Sequence, residues 1–198
     1  KSAGRLLDVG AGVGLFVWEA RKNGYDVKGI EFSAQAVETG IRNGESAITC
    51  GDFLRVEEPA SSFDVVTLWH VLEHLDSPVE VLRKIQTILR PGGIVIITVP
   101  NIDSLQARLF RGRWYHLDVP GHLLHYSPAT LGALLENAGF RVTEARFGWR
   151  EHDPAGFLGS LMLLSPPGEG FVHKAVRKLI GMPVARICAR IEAFLHRG

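Results

Sequence analysis

Long apolar runs, paired cysteines and an excess of one charge are all missing from this chain. The longest apolar stretch, Phe157–Leu164, falls short of membrane-spanning length. Cysteine occurs only at Cys50 and Cys188, far apart and in no metal-type pair, so a reducing cytoplasm is the default compartment. Basic and acidic side chains number 22 and 21, a formal net charge of +1, which gives no electrostatic argument for a nucleic-acid partner. No signal-peptide pattern is visible. The chain opens at Lys1, almost inside its first strand and without an initiator Met, and reads as a segment whose natural N-terminus is missing or disordered.

What is present alternates. Leu6–Val9 reads as a buried strand, Leu15–Asn23 as a helix closed by Gly24, and Tyr25–Glu31 as a second strand. Ser33 caps a helix over Ala34–Asn43, and Ala47–Cys50 forms a third strand. Asp64–Trp69 is a β-branched fourth strand, followed by a helix from Pro78 to Leu89 that stops at the breaker Arg90-Pro91-Gly92-Gly93. Ile94–Val99 is the fifth strand. The pattern predicts an α/β, doubly wound, mostly parallel sheet covered on both faces. After Pro100 the periodicity fails: Asn101–Tyr126 is polar, aromatic and rich in His and Arg, and reads as a lid. Ser127-Pro128 starts another helix ending at Gly139, then Phe140–Trp149 reads as a sixth strand. Residues 1–149 are thus expected as the core and 150–198 as a helical extension.

Asp8-Val-Gly-Ala-Gly-Val-Gly14 leaves the first strand and opens a helix. Its alternate glycines, Gly10, Gly12 and Gly14, let backbone approach a ligand closely. Glu31 stands nineteen positions after Gly12, about the distance at which a carboxylate meets ribose hydroxyls in doubly wound folds. The dinucleotide fingerprint needs a glycine where this chain has Leu15, and Asp8 would repel a pyrophosphate while suiting a cation. The loop therefore suits a cationic nucleoside without phosphates.

Taken together, Leu7–Gly14, Glu31, Gly51-Asp52-Phe53, Phe63–His74 and Leu89–Gly93 resemble the motifs of class I S-adenosylmethionine-dependent methyltransferases. The segment Trp114–Phe140 is similar to a small-molecule subfamily related to quinone-biosynthesis O-methyltransferases. The resemblance implies that Asp8, Gly10, Ala11, Gly12 and Gly14 wrap the methionine part and sulfonium side of S-adenosylmethionine. It also implies that Glu31 takes the ribose hydroxyls and Phe32 lies against the adenine. Asp52 would accept from the adenine amino group and Phe53 would donate a backbone N–H to the ring, while Trp69 and His70 would line the floor beneath the methyl group. Two departures stand out: no seventh strand is evident before Gly198, and the helix that usually precedes strand one is missing.

His70, Glu73 and His74 spell His-x-x-Glu-His, an inverted zinc-protease pattern, but the position after a parallel strand argues against zinc hydrolysis. A milder reading, implied by the resemblance to quinone methyltransferases, is that His70, Glu73 and His74 help hold a divalent cation that orients a substrate hydroxyl. The preferred one assigns no metal, with Glu73 and His74 bracing the next helix and His70 facing the ligand. His116, His122 and His125 with Asp118 form a second cluster. Either one of them contacts the acceptor, His122 beside Gly121 being first choice as proton acceptor, or they knit the lid by hydrogen bonds. Arg108, Arg111 and Arg113 suit an anionic acceptor or bulk water. The basic, apolar stretch Phe171–His196 suits a membrane surface, a partner, or packing on the domain; Gly181 and Pro183 interrupt it and favour packing.

The expected activity is methyl transfer to a small-molecule acceptor, at oxygen rather than nitrogen or carbon. The rivals are a nicotinamide-dependent oxidoreductase, disfavoured by Leu15 and Asp8, and a non-catalytic cofactor-binding module. A nucleic-acid methyltransferase is disfavoured because strand four ends in Leu68-Trp69-His70 rather than a base-flipping motif.

Overall fold

Five short apolar segments pair as parallel strands because no two of them are joined by a tight turn; every connection is long enough to cross back over the sheet. A computed structural model describes residues 3–147 and Ser160. In it β1 (Arg5–Val9), α1 (Leu15–Lys22), β2 (Asp26–Glu31), α2 (Ala34–Arg42) and β3 (Ile48–Cys50) alternate. They are followed by β4 (Phe63–Trp69), α3 (Pro78–Ile88), β5 (Leu89–Thr98), α4 (Leu105–Phe110) and α5 (Pro128–Asn137). The sheet order is β3-β2-β1-β4-β5, parallel throughout. Winding runs outward from β1 to β3, returns to β4 and runs outward again. Right-handed crossovers therefore put α1 and α2 on one face and α3 on the other. The reversal between β1 and β4 is where such folds bind ligands.

The described residues fall into two compact units, 3–99 with 133–141, and 100–132 with 142–147 and Ser160. In the first, β1 is buried on both faces from Leu6 to Val9. Leu6 packs with Val17 and Ala20 of α1, Val37 of α2 and Ile48 of β3. α3 buries Val81, Leu82, Ile85 and Ile88, one stripe at helical spacing. In the second unit, Ala107, Phe110 and Trp114 form a small core, and α4 is opened by Ser104, whose hydroxyl accepts from the Ala107 N–H at 3.0 Å. Asn101 and Tyr126 form an isolated bridge that joins the two ends of the 101–126 segment. At α5, Ser127 and Thr130 bond each other's backbone N–H, a reciprocal cap. No helix among the described residues is long and apolar enough to cross a membrane.

Two expectations need correction. Arg90-Pro91-Gly92-Gly93 does not separate helix from strand; β5 begins at Leu89 and carries these residues, with a register irregularity against β4. Pro91 is tolerated because β5 is the last strand of the described sheet, where one side needs no donor. Arg90 gains a partner there, its Nη1 donating to both oxygens of Asp64 at 2.7 and 2.8 Å. Second, the expected strand over Phe140–Trp149 is absent over 140–147, which carries no ladder. Strand propensity forms no strand without a neighbour to pair with, and no described strand pairs with this stretch. Gly148 and Trp149, like the extension expected over 150–198 except Ser160, lie outside the described residues.

Candidate functional site

Parallel register brings the chemistry to one edge of the first unit. Val9 pairs with Ile30 and Leu68, and Glu31 with Cys50, so the glycine loop, Glu31, Asp52 and Trp69-His70 all leave the carboxyl ends of adjacent strands. The N–H groups of Gly10 and Ala11 donate to the Ile30 carbonyl at 2.8 and 3.1 Å, tying the loop to the end of β2.

The three loop glycines adopt left-handed backbone, with φ of 74° at Gly10, 55° at Gly12 and 84° at Gly14. Their missing side chains do different things. A Cβ on Gly10 would stand 2.3 Å from Val71 Cγ2, and one on Gly14 would stand 2.5 Å from Ile48 Cδ1. Those two glycines let neighbouring segments close in. At Gly12 a Cβ would meet nothing within 4 Å, so that peptide faces open space. Its N–H donates to Glu31 Oε2 at 2.8 Å, and Glu31 Oε1 accepts from the Ser33 N–H at 2.7 Å. Each carboxylate oxygen keeps a further lone-pair site for a hydroxyl.

Asp8 lies behind the loop, 2% exposed, and its Oδ1 accepts from the Thr67 hydroxyl of β4 at 2.6 Å. Burial pushes its carboxyl up to about 7; the Thr67 hydrogen bond opposes this, and the Glu31 charge adds to it. Phe32, at the end of β2, is 80% exposed. Asp52 folds its own loop, Oδ1 accepting from the Leu54 N–H at 2.9 Å and Oδ2 standing 3.4 Å from Arg55 Nε. Phe53 is buried. Trp69 stacks in a tilted contact with Phe16, centroids 4.9 Å apart.

His70 is the one position of the site where a bulky residue holds left-handed backbone, φ 56°, with its N–H donating to the Thr98 carbonyl at 3.0 Å. Its ring Nδ1 lies 3.1 Å from Oε1 of Glu73, a carboxylate only 1% exposed. Leu72–His74 is a single 3₁₀ turn and α3 starts later, at Pro78. Contrary to the expectation from the motif, Glu73 therefore braces His70 rather than the helix, and His74 is exposed.

His116, His122 and His125 belong to the second unit. His122 Nδ1 lies 2.8 Å from the His116 carbonyl, and His125 Nε2 lies 2.8 Å from the Leu117 carbonyl. Each ring thus holds backbone of its own segment, the role a long loop's carbonyls call for. Gly121 makes room for Asp118, whose Oδ2 lies 2.8 Å from where a Cβ would be. Arg108, Arg111 and Arg113 are exposed. Two residues beside the site escape sequence reasoning. Thr67 leaves only the trace of a hydroxyl among the apolar residues 65–69, and Lys84 looks like any other helix cation.

These residues fit S-adenosylmethionine: an open cradle at Gly12, a ribose-type carboxylate fixed beside it, and a buried carboxyl suited to a cation. A family model described as a methyltransferase domain matches residues 1–145. The ubiquinone biosynthesis O-methyltransferase of Paraburkholderia phymatum is 36% identical over 104 residues, 49% of this chain and 44% of that protein. The protein of the same name from Aeromonas salmonicida is 32% identical over 154 residues, 71% of this chain and 64% of the relative. The chain thus spans about half to two thirds of the length of these relatives. The crystal structure of an S-adenosylmethionine-dependent methyltransferase from Archaeoglobus fulgidus superposes with a TM-score of 0.63. The two are 24% identical, with 94% of this chain and 80% of that one covered, which shows the fold. The chain belongs to the class I S-adenosylmethionine-dependent methyltransferases, and the curated relatives it is similar to are ubiquinone biosynthesis O-methyltransferases.

Proposed function

We propose that this chain transfers a methyl group from S-adenosylmethionine to a hydroxyl oxygen of a small-molecule acceptor. The observation that carries the reading is the Gly12 N–H bond to Glu31, which fixes the ribose-type carboxylate against the open face of the glycine loop. When bound, the cofactor supplies a methyl group on a positively charged sulfur, ready for in-line displacement. The chain's residues do the rest. Asp8, Gly10, Ala11, Gly12 and Gly14 hold the methionine end, with Asp8 opposite the positive charge. Glu31 orients the ribose, the exposed Phe32 ring covers the adenine, and Asp52 and the Phe53 N–H read the adenine edge. Trp69 walls the reacting end.

His70 takes the proton from the acceptor hydroxyl. Glu73 Oε1 stands 3.1 Å from the ring Nδ1 and orients the imidazole for that transfer. Alignment supplies most of the remaining rate. The relatives' names, ubiquinone biosynthesis O-methyltransferase, support oxygen as the acceptor atom. His116, His122 and His125 are candidates for contact with the acceptor, tested by alanine variants that read KM for the acceptor.

The test is to incubate the protein with methyl-labelled cofactor and a metabolite extract, adding catechol-type acceptors, and to follow the label by mass spectrometry. Label on an oxygen of one small molecule supports the reading. Label on nitrogen or carbon corrects the acceptor atom. Tight S-adenosylhomocysteine binding with no label in any product would instead make the chain a binding module. Glu73→Gln should lower kcat roughly 10²-fold while leaving cofactor affinity unchanged.

A further inference from the structure

The loop carrying Asp52 and Phe53 is held from behind by an ammonium group. Lys84, half-buried on α3, donates from Nζ to the carbonyls of Phe53 and Val56, both at 2.5 Å. The same nitrogen stands 4.8 Å from the centre of the Phe53 ring. Burial lowers the Lys84 pKa from the ordinary 10.5, while the charges of Glu58, Asp52 and Glu57 raise it. The loop has further anchors. The N–H groups of Arg55 and Val56 donate to the Asp52 carbonyl at 2.9 and 3.0 Å, and Lys28 of β2 pairs with the buried Glu58.

An aliphatic side chain at position 84 would keep the apolar stem. What it would lack is three donors on one atom, which here fix two carbonyls three residues apart at a single point. Fixing the Phe53 carbonyl sets the plane of the peptide that follows Phe53, while the turn closed on the Asp52 carbonyl sets the preceding plane, which carries the Phe53 N–H; Lys84 holds the far side of that turn through Phe53 and Val56. A ligand-reading group held this way needs support from outside the pocket, and α3 is a rigid place to put it.

We propose that Lys84 is a positioning residue of the adenine subsite, holding the Asp52–Val56 loop so that the Asp52 carboxylate and the Phe53 N–H meet the adenine edge in register. It rests on the assignment of Asp52 and Phe53 to the adenine. The ligand contrast that reads it is S-adenosylhomocysteine against S-inosylhomocysteine, whose base carries an oxygen in place of the amino group.

Calorimetric affinities for both ligands are measured on the unaltered chain, Lys84→Met, Lys84→Arg and Asp52→Ala, together with amide exchange over residues 52–56. The unaltered chain should prefer the adenosyl ligand, and Asp52→Ala should lose most of that preference, the remainder coming from the Phe53 N–H, which meets a ring acceptor in adenine and a ring N–H in hypoxanthine. Lys84→Met should weaken adenosyl binding about tenfold and cut the preference by a similar factor, with faster exchange in the loop and kcat at saturating cofactor retained. Lys84→Arg should restore most of both. If Lys84→Met keeps the preference while Asp52→Ala loses it, the adenine subsite stands and the role of Lys84 is wrong. If Lys84→Met weakens both ligands equally, the lysine is merely structural and the proposal also fails. A preference untouched by Asp52→Ala removes the adenine assignment, and the proposal with it. Should Lys84→Met not fold, Lys84→Gln, which keeps a donor without the charge, is read in the same way.

Discussion

Asp8 is where a single residue has the sharpest consequence. With its carboxyl raised to about 7 by burial, it is neutral in the ligand-free protein at mildly acidic pH. A cationic ligand favours the ionised form, so cofactor affinity should rise with pH through about 7, by up to tenfold per unit on the acid side. Titrations at about pH 6 and pH 8 should show this for the unaltered chain and a flat response for Asp8→Asn. Stability moves the other way. The folded pKa lies above the ordinary 3.8, so the stability contributed by the neutral acid is complete below 3.8 and lost as pH rises through about 7. Asp8→Asn should remove that fall, as read by the melting temperature of the ligand-free protein.

The loop glycines should separate by the same kind of reasoning. All three incur a left-handed penalty of about 1–2 kcal/mol on substitution by Ala. Gly12→Ala adds only that, because its Cβ meets open space, yet it places a methyl group where the ligand approaches. It should melt close to the unaltered chain and lose at least about tenfold in S-adenosylhomocysteine affinity. Gly10→Ala and Gly14→Ala, which collide with Val71 and Ile48, should lose more stability. Spacing makes Gly10, Gly12, Gly14, Glu31 and Asp8 legible in the sequence, since a turn, a strand end and a carboxylate each leave a local mark. Thr67 and Lys84 leave none, because their partners lie 59 and 28–31 positions away. The Glu73–His70 pair is visible as a motif while its role is hidden, because nothing in the spacing says whether Glu73 faces α3 or turns back to the ring.

At the level of elements, periodicity locates the first five strands and three helices to within a few residues, and fails where pairing rather than pattern decides. The 140–147 stretch has the residues of a strand but joins no ladder among the described residues. Arg90–Gly93 has the residues of a turn but lies inside β5, at the irregularity between the Phe63–Leu89 and Val65–Ile94 pairs, and Arg90 gains a partner in Asp64. Asp64 itself is held below the usual carboxylate range, first by the Arg5 N–H and then by Arg90. In the 101–126 segment, α4 is illegible because six residues are too few to show a period. Its start nevertheless depends on one hydroxyl. Ser104→Ala should cost about 1 kcal/mol in a urea titration, since the cap is buried and the Ala107 N–H has water as a poor substitute. Ile85→Ala on α3, at 0% exposure, should cost about 2–5 kcal/mol in the same assay.

For the whole molecule, the family assignment turns binding into a stability measurement. S-adenosylhomocysteine at a hundredfold excess over its Kd should stabilise the fold by about 2.7 kcal/mol. For a chain of this size that is roughly 5–10 °C in melting temperature. NADH at the same concentration should produce no shift, and a shift with NADH alone would contradict the class assignment. Sheet order and ligand edge are legible from the sequence because crossover handedness leaves few alternatives. The division into two units is not, because the polar, aromatic composition of 101–126 hides a small core of its own around Trp114.

The bond between Gly12 and Glu31 has one more consequence, and it concerns entropy rather than contact. A free glutamate side chain surrenders rotamer freedom, about 1.5–2 kcal/mol, when a ligand immobilises it. Here both oxygens are already engaged by the Gly12 and Ser33 N–H groups, so that ordering is complete when the chain folds. Folding meets the expense in advance, and a diol arriving at Glu31 keeps nearly the whole worth of its hydrogen bonds as affinity.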